Sequence, residues 1–236
     1  MSKRFNVESK GHAHWFLGMR IHQYKDGSHT IDQSHFTKMI IRKFFPEDAP
    51  YGMPQFQSSP APLYYQDKKN NIPLKEQNLI TDTKYPNLSY ISAVCTILYL
   101  ALGTRSDITW IVMKLAKSCI NPREEDYKAL LYLLGYLRKY PYYAIKYYSD
   151  TTESPVYQIC KQHNVEMTEL TAFSDASWQD CPDTGHSTIG NKIFYQGGLI
   201  EWNRSVPVPI AISTDEDEYM SACSACMAIS HLTMLT

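Results

Sequence analysis

Leu170-Thr-Ala-Phe-Ser-Asp-Ala176 is a short apolar run with one acid near its end, and its composition is typical of a β-strand. Two further strand-like runs follow at 188–196 and 199–203, and Gly197-Gly198 between them is typical of a hairpin turn. From Asp215 onward, apolar side chains recur at helical spacing. Three strands followed by a helix predict an α/β unit.

The region before this unit, 87–148, contains three apolar stripes at helical spacing. The first helix is predicted from Leu88, the second from Ser106-Asp107 and the third from Asn121-Pro122. The stripes consist of Ile91, Val94, Cys95, Leu98 and Leu102; Ile108, Ile111, Val112, Leu115 and Cys119; and Tyr127, Leu130, Leu131, Leu134 and Leu137. Three closely spaced helices predict an antiparallel bundle, and the weak alternation at 142–148 indicates an edge strand.

The amino-terminal segment, 1–46, is predicted to form a β-hairpin followed by a short helix. The hairpin strands flank a turn at Asp26-Gly27, and Ser34 is suited to cap the helix. Residues 47–86 are rich in proline, which removes backbone donors, so we expect an extended connector there. Together with the helical bundle and the α/β unit, which we place at 168–236, these segments assign the chain to the α+β class.

Charge and apolar content limit the classes of protein that fit this sequence. Lys and Arg number 23 against 24 Asp and Glu, so the net charge is −1 and any polyanion must bind at a local patch. No apolar run approaches the ~20 residues of a membrane-spanning helix, and the first residues lack the apolar segment of a signal peptide. We therefore expect no membrane partner, no secretion, and a cytoplasmic or nuclear location.

Asp175 and the acids at the start of the last helix form the candidate chemical site. A carboxylate in a strand covered by a helix is costly to bury without partners, and a hard cation such as Mg²⁺ relieves that cost. Ser213 and Glu216 have the spacing of a capping box, which gives Glu216 a structural role. Glu218 is therefore the favoured second ligand, with Glu216 as the runner-up. The alternative interpretation of Asp175 is a structural acid with satisfied hydrogen bonds.

Cys223 and Cys226 have the spacing of half a zinc site, but no second Cys or His pair accompanies them. We place both thiols in the core, on the apolar face of the last helix. That face is predicted to consist of Tyr219, Ala222, Cys223, Cys226 and Ile229. Trp178 and Trp202 are interpreted as packing residues, with base stacking as the alternative.

Longer segments of the chain carry a more specific signal than any of these pairs. They are Trp15-Phe-Leu-Gly-Met-Arg-Ile21, Tyr85-Pro-Asn-Leu-Ser-Tyr90, Leu98-Tyr-Leu-Ala-Leu-Gly-Thr-Arg-Ser-Asp-Ile108, Asn121-Pro-Arg-Glu-Glu125, Leu133-Leu-Gly-Tyr-Leu-Arg138, Phe173-Ser-Asp-Ala-Ser-Trp-Gln-Asp180, Gly197-Gly-Leu-Ile-Glu-Trp202 and Ile212-Ser-Thr-Asp-Glu-Asp-Glu-Tyr219. In order and spacing, from about residue 14 to 230, these segments resemble copia-type retrotransposon polyproteins.

The resemblance implies a fold and a set of nucleic-acid contacts. It likens the first hairpin to the one that closes the polymerase palm and touches the primer end. It likens 87–148 to a helical thumb or connection region, and 168–236 to an incomplete ribonuclease H-like α/β domain. The residues that we expect to contact nucleic acid are Trp15, Leu17, Gly18, Arg138 and Lys139.

The implied reaction is hydrolysis of the RNA strand of an RNA/DNA hybrid with the help of Mg²⁺ or Mn²⁺. Asp175 and Glu218 match two metal-binding carboxylates of the resembled family, and both are therefore candidate catalytic residues. The implied partners are a hybrid or a template-primer and the rest of the polyprotein. In that context the expected cytoplasmic location includes a virus-like particle.

The chain departs from the resembled family in ways that lower the expected activity. The family usually has Thr-Glu-Ala-Glu-Tyr where this chain has Asp215-Glu-Asp-Glu-Tyr219, and extra negative charge repels phosphates. The polymerase acids are expected upstream of Trp15 and the remaining ribonuclease H carboxylates beyond Thr236. We therefore expect a fragment with weak or lost hydrolysis. The alternatives are a non-catalytic nucleic-acid-binding segment and an inert relic.

Overall fold

A computed structural model describes residues 11–45, 52–66, 88–180 and 185–234 of the chain. Helices and strands both occur throughout these residues, as the α+β assignment predicts. The connector predicted over 47–86 lies mostly outside the described residues.

The first sheet has four antiparallel strands in sequence order. They are β1 (Trp15–Phe16), β2 (Met19–Gln23), β3 (His29–Asp32) and β4 (Ala144–Tyr147). The predicted edge strand is confirmed, and the predicted hairpin across Asp26-Gly27 is formed by β2 and β3. A hairpin that was not predicted joins β1 to β2 through a turn at Leu17 and Gly18. β4 follows the helical region in sequence but pairs with β3, which precedes that region. The sheet therefore joins the two ends of the helical region.

Five helices accompany this sheet within the described ranges, and one cluster of buried apolar side chains joins them. They are α1 (Ser34–Phe44), α2 (Leu63–Gln66), α3 (Tyr90–Gly103), α4 (Thr109–Ala116) and α5 (Glu124–Lys139). The faces predicted for α4 and α5 are largely buried, with Ile111, Leu115, Leu130 and Leu134 at the centre of the core. The second predicted helix begins with a 3-10 turn, Ser106–Ile108, before α4.

Helix α3 turns only part of the predicted face to the core. Val94 is buried and Leu98 packs against the core, but Ile91 and Leu102 are 54% and 66% exposed. The buried side also includes Ala93, Ile97 and Leu100. The prediction was only partly right because nearly every residue of α3 is apolar, so residue spacing does not distinguish the buried side from the exposed one.

Arg105 joins the α3–α4 turn to the end of α5. Its guanidinium is almost fully buried and donates to both oxygens of the Asp107 carboxylate at 2.9 and 2.8 Å. It also donates to the carbonyl oxygen of Tyr140 at 2.9 Å. Burial alone would raise the pKa of Asp107, but hydrogen bonds from Arg105 and Tyr136 outweigh burial and lower it. The segment from Gly103 to Ile108 is therefore a structural joint, which ties the turn between α3 and α4 to the end of α5.

The described part of the connector, 52–66, packs against α5. A Cβ atom at Gly135 would collide with the carbonyl group of Gln55, so the absence of a side chain lets this segment cross the helix. Tyr65 of α2 donates a hydrogen bond to the buried carboxylate of Asp126 at 2.6 Å. This part of the connector is therefore held to the bundle by packing and by a buried hydrogen bond.

The second sheet contains three antiparallel strands in sequence order and carries a helix on one face. They are β5 (Leu170–Ser177), β6 (Thr188–Tyr195) and β7 (Gly198–Ser205), and the helix is α7 (Thr214–Thr233). All three strands and the helix were predicted. The β6–β7 turn is one residue earlier than predicted, with positive φ at Gln196 and Gly197. Helix α6 (Pro155–Gln162), which Ser154 caps, was not predicted.

Helix α7 packs on the sheet through a different face from the one that the spacing of its apolar residues predicts. Its buried residues are Asp217, Ser221 and Ala225, whereas Cys223 and Cys226 are exposed. Ser221 Oγ donates to the carbonyl oxygen of Asp175 at 2.8 Å. The assignment of the two thiols to the core was therefore wrong. The small side chains of Ser221 and Ala225 let the helix lie close to the sheet, so the larger apolar side chains do not form the contact.

Candidate functional site

The turn between β1 and β2, which we call the hairpin tip, is an exposed apolar patch. Trp15, Phe16 and Leu17 are consecutive and are 56%, 63% and 68% exposed. Single exposed apolar residues are common on protein surfaces, but three together at a loop tip indicate a binding surface. The patch includes Trp15 and Leu17, which were predicted to contact nucleic acid, and it adds Phe16.

The tip is held in a defined conformation. Leu17 and Gly18 both have positive φ, 48° and 75°, as a two-residue hairpin turn of type I′ requires. Tyr99 of α3 donates a hydrogen bond to the carbonyl oxygen of Leu17 at 2.5 Å. A Cβ atom at Gly18 would lie 2.9 Å from the Tyr99 hydroxyl, so a side chain there would displace this anchor. Gly18 therefore shapes the tip, and its predicted contact with nucleic acid stays a prediction.

A cation and two further aromatic rings flank the tip. Arg20 is exposed and lies directly across the strand pair from Trp15. The His35 ring meets the Trp15 ring edge-on at 6.4 Å, and Phe36 contacts Tyr99 at 5.0 Å. An aromatic face beside a guanidinium is suited to a base and its neighbouring phosphate.

Arg138 and Lys139 lie at the end of α5, where their side chains hold the connector. Arg138 donates to the carbonyl oxygen of Pro54 at 3.0 Å, and its guanidinium lies 4.5 Å from the centre of the Phe56 ring. Lys139 donates to Ser58 Oγ at 2.9 Å. These contacts give both cations a structural role, and their predicted contact with phosphates stays a prediction.

Asp175 is exposed and faces away from α7. It pairs with Gly190, next to Asn191, and Asn191 is the residue that contacts Ser224 of α7 at 3.2 Å. Because alternate strand residues point to opposite faces, the Asp175 side chain lies on the face opposite the helix. The expectation that Asp175 is buried beneath α7 was therefore wrong.

The Asp175 side chain lines a cavity of about 390 Å³ between the second sheet and α4. Trp110 of α4 and Arg204 of β7 are also part of its wall. Asp180 accepts hydrogen bonds from Thr188 at 2.7 and 2.8 Å and lies 3.7 Å from Arg204. Burial lowers the pKa of Arg204, and the nearby Asp180 carboxylate partly offsets this effect.

The acids at the start of α7 divide into three roles. Glu216 accepts a hydrogen bond from the Ile212 backbone N–H at 2.8 Å, while Ser213 Oγ accepts one from the Glu216 N–H at 3.1 Å. Ser213 therefore caps the helix as predicted, while Glu216 reaches back to the N–H of the residue before the cap and not to that of Ser213. Glu218 is exposed, and the acid that faces the sheet is Asp217, which is fully buried with both carboxylate oxygens unpaired among the described contacts.

The carboxylates predicted to hold a metal do not form a common site in the described residues. Asp175 and Glu218 belong to opposite sides of the second sheet, and no group of three His, Cys, Asp or Glu side chains clusters in the part of the chain that the structure covers. A two-metal centre needs several carboxylates converging on one point. The described donor set therefore does not fit a ribonuclease H metal centre.

Sequence reasoning missed Phe16, Arg20, Tyr99 and Asp217. Phe16 and Arg20 stand in the hairpin motif itself, so the motif was the available signal for them. Tyr99 lies in α3, where nearly every residue is apolar, so the spacing of apolar residues does not reveal which face of the helix is exposed. Among the helices that the structure describes, none is both long and apolar enough to cross a membrane.

Comparison with known proteins finds relatives along almost the whole chain. The retrovirus-related Pol polyprotein from transposon TNT 1-94 of Nicotiana tabacum is 25% identical over 223 residues, which are 94% of this chain and 15% of the polyprotein. That from transposon RE1 of Arabidopsis thaliana is 26% identical over 224 residues, 95% of this chain and 13% of the polyprotein. Over almost its whole length, this chain is therefore similar to one segment of the Pol polyproteins of copia-type retrotransposons.

The match covers one segment of those copia-type Pol polyproteins. A shorter relative, Secreted RxLR effector protein 161 of Plasmopara viticola, is 29% identical over 150 residues, 64% of this chain and 95% of the effector. No family model and no solved structure matches the chain.

Proposed function

We propose that this Pol segment binds the end of an RNA/DNA hybrid or template-primer through the hairpin tip between β1 and β2. The observation that carries the proposal is the run of exposed apolar side chains, Trp15 to Leu17, on a turn that Tyr99 anchors. A fixed turn presents its side chains with little loss of conformational entropy on binding.

The chemistry of the tip favours nucleic acid as the ligand. The Trp15 ring offers a face on which any base stacks, and Arg20 beside it supplies a positive charge for a phosphate. With a net charge of −1, the chain as a whole supplies no attraction to a polyanion, so binding depends on such a local patch. As part of a polyprotein, the segment has the other polyprotein parts as further partners, in a cytoplasmic particle or the nucleus.

We propose further that binding, and not cleavage, is the contribution of this chain. The placement of Asp175 and Glu218 on opposite sides of the sheet supports this proposal. No catalytic step is assigned to either carboxylate. Mg²⁺ or Mn²⁺ then has no required role in the interaction with the hybrid.

Trp15→Ala is expected to weaken hybrid binding by about 1–3 kcal/mol, because it removes one base-stacking surface. The measurement is fluorescence anisotropy with a labelled RNA/DNA hybrid at several salt concentrations. The matched control is Tyr219→Ala, which removes an aromatic side chain that is 77% exposed on α7. Equal affinity of wild type and Trp15→Ala for the hybrid would contradict the proposal. No binding of the hybrid by wild type would also contradict it, and would favour the alternative that the chain is an inert relic.

Asp175→Asn is expected to leave hybrid binding unchanged and to leave any cleavage of a labelled hybrid at the wild-type level in Mg²⁺ and in Mn²⁺. The side chain is exposed and faces away from the acids of α7, so its charge is not needed at a shared metal ion. Cleavage by the wild type that disappears in Asp175→Asn would overturn the assignment of this chain to binding alone.

A further inference from the structure

The outward face of α7 carries two thiols and a thioether. Cys223 and Cys226 are free and exposed, and Met227 is 64% exposed. Because the buried side of α7 is formed by Asp217, Ser221 and Ala225, these three sulfur atoms lie on the opposite side of the helix. All three lie within five consecutive residues, a little more than one helical turn.

The spacing of the two thiols favours a bridging metal ion over a disulfide bond. Residues three positions apart on a helix have Cβ atoms about 5–6 Å apart. A disulfide needs Cβ atoms about 3.5–4.5 Å apart, so Cys223 and Cys226 do not reach that distance in a regular helix. A metal ion with two metal–sulfur bonds of about 2.3 Å spans the wider gap.

The ligand count selects the kind of ion. Zinc in a structural site requires four ligands, and the described residues hold no cluster of three or more His, Cys, Asp or Glu side chains. Two thiolates and a thioether are instead the soft donors that select Cu(I). No carboxylate of α7 lies between Cys223 and Met227, and among the described residues His231 forms no cluster of three with the two thiols, so the proposed donors are the three sulfur atoms.

We propose that the outward face of α7 binds one Cu(I) ion between the Sγ atoms of Cys223 and Cys226, with the thioether of Met227 as a third donor. On binding, each thiol releases its proton to solvent, and two sulfur–copper bonds replace two sulfur–hydrogen bonds. The ion enters as Cu(I) and stays Cu(I), so no oxidant or reductant is needed. The site is separate from the hairpin tip and does not depend on the function proposed for it.

A second pair of thiols provides an internal comparison. Cys95 of α3 is exposed and lies near Cys119, which is partly buried. Burial, with a smaller effect of the Cys95 thiol, raises the pKa of Cys119. Because the thiolate is the metal-binding form, the raised pKa makes Cys119 a weaker metal ligand.

The test is anaerobic titration of the reduced full chain with Cu(I) in competition with a chromogenic Cu(I) chelator. Wild type is expected to withhold one Cu(I) per chain from the chelator. Cys223→Ser and Cys226→Ser are each expected to lose this ion, Met227→Leu to hold it more weakly, and Cys95→Ser to keep it. All four side chains are wholly or partly exposed to solvent, and circular dichroism checks that each variant stays folded.

A variant that keeps two thiols but changes their spacing tests the geometry. The double variant Cys226→Ser, Ser230→Cys keeps two thiols, at the exposed positions 223 and 230 on the same face. These positions are about two turns apart, a distance of roughly 10 Å along the helix axis. We expect this double variant to lose the ion. Retention of Cu(I) by the double variant or by Cys223→Ser, tight binding of Zn²⁺, or a copper-bridged dimer on size exclusion would each overturn the proposal.

Discussion

Arg105→Ala is expected to lower the free energy of unfolding by about 3 kcal/mol, the lower end of the range for breaking a buried ion pair, since part of the Asp107 side chain can still reach water. The substitution removes a guanidinium that is almost fully buried and donates to Asp107 and to the carbonyl group of Tyr140. It leaves the Asp107 carboxylate without its cation, with 30% of the side chain exposed. Denaturation by urea, followed by circular dichroism, measures the change.

The pH dependence of the same variant supplies an independent check. In wild type the pKa of Asp107 lies below its usual value of 3.8, so its stabilising contribution is complete above that value. The contribution is lost as the pH falls through the lowered pKa. The stability difference between wild type and Arg105→Ala should therefore narrow below about pH 4.

Arg105→Lys serves as the control for charge. Lysine keeps the positive charge but lacks the planar fork that donates to both Asp107 oxygens, so an intermediate loss of stability is expected. A loss below about 1 kcal/mol for Arg105→Ala, within the range of an ordinary surface ion pair, would contradict the assigned role of this joint.

Asp217→Ala is expected to raise the free energy of unfolding by about 1–3 kcal/mol, the usual cost of an unsatisfied buried polar group. The carboxylate is fully buried and has no partner for either oxygen among the described contacts. Alanine is also the residue that the resembled family usually has in this motif. Thermal unfolding of the full chain is the measurement, and the gain corresponds to a rise of several degrees, at about 2–4 °C per kcal/mol for a chain of this size.

Two variants separate the causes of that gain. Asp215→Ala makes the same change at an exposed position of the first turn of α7, so it controls for the helix propensity of alanine. Asp217→Asn removes the charge but keeps a polar group, and a smaller gain is expected. A fall in stability for Asp217→Ala would mean that the carboxylate has a partner beyond the contacts described.

Local patterns in the sequence predicted the elements of the fold well. The second sheet was predicted because its three strands are bounded by turn residues, and α4 and α5 because their apolar residues recur on a single face. The hairpin turn at Asp26-Gly27 and the capping of α7 by Ser213 also follow from local chemistry. These features depend on residues that are close in sequence.

The parts that could not be predicted depend on contacts between distant residues. α3 is apolar on every side and α7 packs through Ser and Ala, so neither sequence indicates which face meets its neighbour. The orientation of Asp175 follows from the pairing of β5 with β6 and from the face that α7 covers. Tyr99 becomes part of the hairpin tip only because α3 lies beside it in the folded chain.

The pairing of β3 with β4 has a consequence for synthesis on the ribosome. β3 ends at Asp32, but its partner strand begins only at Ala144, after the whole helical region has been made. Until then β3 presents an unpaired edge on a nascent chain, and such edges promote association between chains. We therefore expect association between nascent chains to be strongest while the residues from α1 to α5 are being made.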